Sequence, residues 1–74
     1  MSIPHNNGVV LRRYRYKNKQ TQTDVAAIAD SARSFVSDVE NGKTNISIEM
    51  FVRYCEAIEA DPWDVLKEAL TMKR

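Results

Sequence analysis

Four polar side chains share the outward side of a short helical segment in the middle of the chain. The segment is Arg33-Ser34-Phe35-Val36-Ser37-Asp38-Val39, in which Val36 and Val39 lie on one face at helical spacing. The side chains that point away from these valines are Arg33, Ser34, Ser37 and Asp38. A helix with such an outward face matches the hydrogen-bonding groups that base edges present in the major groove of DNA. The spacing therefore predicts a surface that reads double-stranded DNA.

Several of these side chains have a second interpretation. Arg33 can donate two hydrogen bonds to guanine, or it can pair on the protein surface with Ser37 or Asp38. Asp38 can accept from cytosine N4, or it can hold Arg33 or a water, because phosphates repel a carboxylate in the groove. Phe35 can press on a thymine methyl group or cover the preceding helix.

The rest of the chain predicts five α-helices and no strands. We expect them at about residues 8–18, from Thr21 to near Ala29, from Ala32 or Arg33 to Asn41, from Ser47 onward, and from Asp61-Pro62 through Leu70. Thr21 with Asp24 forms a variant of the capping box, and Asn41-Gly42 is a C-terminal stop. Asp61 before Pro62 is the strongest helix-start signal in the sequence.

Apolar residues at helical spacing predict one core within a single domain over residues 1–74. The expected core residues include Val10, Leu11, Val25, Ala26, Ile28, Ala29, Val36 and Val39, and a stripe of Ile48, Phe51, Val52, Cys55 and Ile58. Residues 1–7 are expected to be a loose N-terminus, 8–70 the helical core and 71–74 a frayed tail. A chain of 74 residues gains little stability from one core, so a partner subunit would help.

Composition excludes several classes of protein. No apolar run reaches membrane-spanning length and no secretory signal is present, so we expect a cytoplasmic, nucleoid-associated protein without membrane contact. Cys55 and His5 are each the only residue of their type, and no paired carboxylates, activated nucleophile or glycine-rich phosphate loop occur. We therefore predict no enzymatic activity, no metal and no cofactor, and expect Cys55 in the core.

Charge is distributed unevenly along the chain. Residues 1–44 carry seven lysines and arginines against four acidic residues, whereas residues 45–74 carry four against six. A positive N-terminal half suits phosphate binding, although a solvated, charged first helix would give the same count.

The combined motifs resemble the Cro/CI (XRE-type) helix-turn-helix domain of phage repressors. The resemblance rests on Leu11-Arg12-x-Tyr14-Arg15, Thr21-Gln22 with Val25-Ala26, Arg33 through Lys43, the Ser47 cap and the helix begun by Asp61, and it covers about residues 8–70. It implies a compact, all-α, five-helix domain like that of lambda repressor. Helix 3 would lie in the major groove, with helix 2 across the backbone.

The resemblance also implies roles for individual residues. Arg33, Ser34, Ser37 and Asp38 match base-reading positions, whereas Gln22, Asn41, Lys43 and Thr44 match positions that contact phosphates. Gln22 can also brace the first reading side chain. Arg15 and Glu40 match an internal ion pair that joins helix 1 to the end of helix 3.

Three positions depart from the family pattern. Asp30 and Lys19 stand where glycine is usual, and Ser31 replaces an apolar residue. Because aspartate tolerates the left-handed region better than most residues, we expect the turn at Asp30 to form. Ser31 predicts thinner packing between helices 2 and 3, and Lys19 predicts an altered exit from helix 1.

The last helix carries more apolar residues than one face must bury. We expect a two-fold homodimer formed through Glu59, Ala60, Trp63, Leu66 and Leu70, although a monomer with a buried Trp63 is the alternative. The predicted function is a homodimeric regulator, a repressor or activator without a ligand-sensing domain or small-molecule ligand, that reads a palindromic operator. The alternative is an antitoxin that binds a toxin protein and autoregulates its operon.

Overall fold

Five helices form the fold of the chain in a computed structural model that describes residues 7–71. In chain order they are α1 (Asn7–Lys17), α2 (Gln22–Ile28), α3 (Arg33–Glu40), α4 (Ile48–Ala57) and α5 (Pro62–Thr71). No strand occurs within the described residues, which confirms the predicted all-α class. None of these helices has the length and apolar content needed to cross a bilayer.

Side-chain caps determine where three helices begin. The Thr21 hydroxyl accepts from the backbone N–H of Asp24, and the Asp24 carboxylate accepts from the N–H of Thr21, so the predicted capping box is confirmed. Ser47 accepts from the N–H of Met50 at the start of α4. Asp61 accepts from the N–H of Trp63 in the first turn of α5.

Four helices end in the same way, with one residue in the left-handed region. These residues are Lys19 (φ 56°), Asp30 (φ 56°), Gly42 (φ 70°) and Glu59 (φ 55°). After α3, for example, Gly42 N–H donates to the carbonyl of Val39 and Lys43 N–H to that of Asp38, which is a Schellman motif. The turn at Asp30 therefore forms as predicted. Lys19 adopts the conformation that glycine would provide, so the predicted change in the exit from helix 1 is wrong.

The helix ends differ slightly from the predicted ones. Asn7, expected in the loose N-terminus, is the first residue of α1 and is buried. Gly8 permits this, because a β-carbon there would lie 2.2 Å from the carbonyl oxygen of Val39. Thr71, expected in the frayed tail, ends α5 and donates its hydroxyl to the carbonyl of Lys67. The predictions for residues 1–6 and 72–74 lie outside the described residues.

The core lies between all five helices, and its composition corrects three predictions. Its largest fully buried side chains include Tyr54, Leu11, Ile58, Val10, Val25, Val36 and Val65. Ile28 and Ile48 are exposed and Val52 is only half-buried, although all three were expected in the core. Ile28 lies outside the sector of α2 formed by the buried residues 25, 26 and 29, and Ile48 occupies the first turn of α4. Tyr54 was missed as a core residue, although it lies at helical spacing with the buried Phe51, Cys55 and Ile58. Cys55 is buried as expected, and burial raises the pKa of its thiol to about 12.

Candidate nucleic-acid interface

The outward face of α3 is the centre of the candidate interface. Val36 and Val39 are buried against the core, whereas Arg33, Ser34 and Asp38 are exposed and Ser37 is half-buried. The structure therefore brings the four predicted base-reading side chains together on one side of the helix. Within residues 7–71, the Asp38 carboxylate forms no hydrogen bond or ion pair, so it faces solvent.

Phe35 lies beside this face but belongs to the interior. Its ring is partly buried and packs against the core cluster. This placement favours the interpretation in which Phe35 has a packing role, predicted as a cover over the preceding helix, over the one in which it contacts a thymine methyl group.

Arg33 is bound by α2 rather than by its own helix. Its Nη1 donates to Oε1 of Gln22 at 2.8 Å, in place of the surface pairing with Ser37 or Asp38 considered from the sequence. Gln22 is the first residue of α2, where the capping box at Thr21 fixes its position. The first residue of α3 is therefore attached to the first residue of α2. Among residues 7–71, the Arg33 guanidinium forms no other hydrogen bond.

The loop after α3 presents the remaining predicted phosphate contacts. Asn41 and Lys43 are exposed, and the half-buried Thr44 donates its hydroxyl to the carbonyl of Asn45 at 3.4 Å. Asn41 Oδ1 accepts from Arg12 Nη2 at 2.7 Å, and its Nδ2 donates to Ser37 Oγ at 3.4 Å. The Schellman motif at Gly42 fixes the direction of this loop.

Glu40 lies behind the interface as a buried carboxylate. Arg15 donates to it twice, from Nε to Oε2 at 2.6 Å and from Nη2 to Oε1 at 2.9 Å. Gln22 Nε2 donates to Oε1 at 3.1 Å, and the hydroxyl of Tyr54 donates to Oε2. Arg12 Nε lies 3.4 Å from Oε1. Three helices besides α3 thus supply donors to one carboxylate.

These contacts determine the ionisation of Glu40 and Arg15. Burial is the largest influence on Glu40 and opposes its charge, but the hydrogen bonds from Arg15, Tyr54 and Gln22 outweigh burial and hold its pKa below the ordinary value. The hydrogen bond to Glu40 raises the pKa of Arg15. Both partners therefore stay charged at neutral pH, which suits a buried pair that is fully hydrogen-bonded.

Two members of this cluster were missed by sequence reasoning. Arg12 was named only as part of the helix 1 motif that carries the resemblance, and Tyr54 was given no role. A signal for Arg12 exists, because it lies one helical turn before Arg15 and both can reach the same carboxylate. No local signal predicts the hydrogen bond from Tyr54 to Glu40, because the two residues are 14 positions apart.

The predicted dimer residues lie together at α5 and the turn before it. Trp63 is 77 % exposed and Leu70 is 66 % exposed, while Leu66 is half-buried. Glu59 is exposed and Ala60 is half-buried. A shallow groove runs along Trp63, Leu66, Lys67 and Leu70. The alternative of a well-buried Trp63 is excluded in the isolated chain, so α5 presents an apolar surface.

Comparisons with known proteins place this arrangement in a family. The helix-turn-helix family model matches residues 11–62. The clp gene regulator ClgR from Corynebacterium glutamicum is 29 % identical with a TM-score of 0.85, over 89 % of this chain and 86 % of that chain. The restriction-modification controller protein C.AhdI from Aeromonas hydrophila is 27 % identical with a TM-score of 0.78, over 81 % and 91 %.

A third structure extends the likeness in fold. The wild-type restriction-modification controller protein C.Esp1396I is 18 % identical with a TM-score of 0.80, over 90 % of this chain and 92 % of that chain. The search of curated proteins finds no match. The family match covers most of the chain, including α2, α3 and the turn between them. The chain belongs to the XRE-type helix-turn-helix family of DNA-binding regulators.

Proposed function

We propose that the protein is a homodimeric, sequence-specific regulator of transcription that reads a palindromic operator in the cytoplasm, with α3 in the major groove. The observation that carries this proposal is the outward face of α3, where Arg33, Ser34, Ser37 and Asp38 are presented together. Gln22, Asn41, Lys43 and Thr44 flank this face and would contact phosphates, which position a protein on the duplex without reading sequence.

The dimer is supported by the apolar surface on α5. Exposed Trp63 and Leu70 beside a shallow groove are typical of a surface that another protein covers. A two-fold axis there would place two α3 helices about 34 Å apart, which is one turn of the duplex. The similar ClgR and C.AhdI are named as a gene regulator and a controller protein, which supports a regulatory function.

The alternative antitoxin function uses the same surface of α5 for a toxin protein. The two functions differ in stoichiometry. A regulator of the proposed kind forms a dimer by itself and binds DNA as a dimer, whereas an antitoxin requires a second, different chain for its activity.

The decisive experiment is selection of bound sequences from random duplex DNA by the purified protein. We expect inverted half-sites with centres about 10 base pairs apart and two chains per site. Selection without enrichment of any sequence would contradict the proposal.

Salt-dependent gel shifts then separate the two kinds of contact. Arg33→Ala should lose discrimination at one or two base pairs, whereas Lys43→Ala should weaken all sequences alike and reduce the salt slope by about one. Arg53→Ala is a matched control, because Arg53 carries the same charge on α4 and pairs with Glu49. Equal effects of all three substitutions would contradict the assignment of α3 as the reading helix.

A further inference from the structure

The buried carboxylate of Glu40 is connected to two of the proposed base-reading side chains. Two of its donors, Gln22 and Arg12, extend from the interior to the outward face of α3 and the following loop. The connection to Arg33 passes through the amide of Gln22, and the connection to Ser37 passes through the amide of Asn41. Because a carboxylate only accepts and a guanidinium only donates, each of these two amides has one allowed orientation.

The first connection runs through Gln22. Its Nε2 donates to Glu40 Oε1 at 3.1 Å, so its carbonyl oxygen must face the other way. That oxygen accepts from Arg33 Nη1 at 2.8 Å. Glu40 thereby fixes the amide so that it presents an acceptor to Arg33 and leaves the other guanidinium donors directed outward.

The second connection runs through Arg12 and Asn41. Arg12 Nε lies 3.4 Å from Glu40 Oε1, while its Nη2 donates to Asn41 Oδ1 at 2.7 Å and to the Glu40 carbonyl at 3.3 Å. Asn41 must then direct its NH₂ group away from Arg12, and Nδ2 donates to Ser37 Oγ at 3.4 Å. Since Ser37 Oγ accepts this bond, its own proton remains available to the groove.

We propose that Glu40 is a positioning residue for sequence readout, which holds Arg33 through Gln22, and Ser37 through Arg12 and Asn41, as hydrogen-bond donors toward the DNA. The proposal rests on the proposed function of α3. It specifies the kind of half-site: guanine, with its O6 and N7 acceptors, opposite Arg33, and a base with a major-groove acceptor opposite Ser37.

The test breaks each connection separately and leaves the Arg15–Glu40 pair intact. Substitution of Glu40 itself could unfold the domain, so the informative variants are Gln22→Met and Arg12→Met. Arg13→Met is the matched control, because Arg13 lies on the same helix but pairs weakly with Glu68, at 4.0 Å. Thermal unfolding of each variant establishes that it is folded.

The measurement is a ratio of dissociation constants, for the selected operator and for operators changed at one base pair. Gln22→Met should lower discrimination at the base pair read by Arg33 by about 2- to 30-fold, with discrimination at the Ser37 base pair unchanged. Arg12→Met should lower discrimination at the base pair read by Ser37 and leave discrimination at the Arg33 base pair unchanged. Arg13→Met should change neither ratio. A merely structural role, or the loss of a phosphate contact, would weaken all operators equally and leave the ratios unchanged.

Two results would overturn the inference in different ways. If the wild-type protein discriminates but both variants keep its ratios, Glu40 does not position the reading residues, and the proposed function stands. If the wild-type protein shows no base preference, the proposed function itself fails, and this inference fails with it.

Discussion

The hydroxyl of Tyr54 in α4 donates to Oε2 of Glu40 at the end of α3. Both residues are 2 % exposed, so this hydrogen bond joins the two helices inside the core. Burial raises the pKa of Tyr54, and the hydrogen bond to Glu40 raises it further. The C-terminal end of α3 is thus held from behind by α4 as well as by Arg15 of α1.

Removal of the Tyr54 hydroxyl tests this relationship directly. Tyr54→Phe keeps the ring in the core but deletes one donor to a charged acceptor, so we expect a loss of about 1.5–3 kcal/mol in the free energy of unfolding. Urea denaturation measures the change. Tyr16→Phe is the control, because Tyr16 is 63 % exposed and its substitution should leave stability unchanged. Equal stability of the two variants would show that the hydrogen bond contributes nothing.

Acid should destabilise the fold through Glu40. Because the folded-state pKa of Glu40 is lowered, its contribution to stability is fully present above the unfolded-state pKa of about 4.3 and disappears as pH falls through the lower folded-state pKa. We expect urea midpoints to fall as pH decreases below about 5. The fall should be shallower in Tyr54→Phe, which lacks one of the bonds that lower this pKa. The lowered pKa of Asp24 acts equally in both proteins and cancels. Parallel curves would contradict this account.

Substitution by glycine should stabilise the helix ends where a residue other than glycine has a left-handed backbone conformation. A side chain in this region costs about 1–2 kcal/mol, of which part is offset by the greater freedom of glycine in the unfolded chain. We therefore expect Lys19→Gly and Glu59→Gly to raise the free energy of unfolding by about 0.5–1 kcal/mol. Asp30→Gly should gain less, because aspartate tolerates this region. Gly42→Ala should lower the free energy of unfolding. A Gly42→Ala protein as stable as the wild type would contradict this prediction.

Substitutions on α5 should separate self-association from folding. Trp63 and Leu70 are exposed, so Trp63→Ala and Leu70→Asp should abolish the proposed dimer and change monomer stability by no more than about 0.5 kcal/mol. Val65→Ala, at a buried position one residue from Leu66, should instead destabilise the fold. Sedimentation velocity gives the oligomeric state.

Trp63 is the only tryptophan, so its emission should shift to shorter wavelength when the wild-type chain associates. Wild-type protein that stays monomeric at high micromolar concentration, with and without DNA, would exclude the dimer.

Local signals in the sequence were sufficient to predict the helices. Thr21, Ser47 and Asp61 each accept a backbone N–H near the start of a helix, and such bonds depend only on neighbouring residues. Gly42 likewise stops α3 through a bond pattern within its own segment. The starts of α2, α4 and α5 and the end of α3 followed from these residues, whereas α3 begins after Ala32 without a side-chain cap.

Features that depend on distant residues were not predictable from periodicity. Ile28 fits the helical spacing of α2 but lies outside the narrow sector that the other helices cover. Tyr54 and Arg12 acquire their roles only because α3 brings Glu40 within reach of both. The outward direction of Arg33, Ser34 and Asp38 was predictable from the two valines of α3. The family resemblance also implied that Gln22 can brace Arg33, and the structure contains this hydrogen bond. Their contacts with DNA remain predictions.

The exposure of Arg33, Ser34 and Asp38 has a consequence for how this protein could evolve. Replacement of these three side chains leaves the buried valines of α3 in place. Under the proposed readout, a duplicated gene could then acquire a new target without a compensating change in the interior. The Gln22 carbonyl adds one rule to such divergence, because it favours a hydrogen-bond donor at position 33. Descendants of one ancestor could therefore control different promoters while sharing the same core.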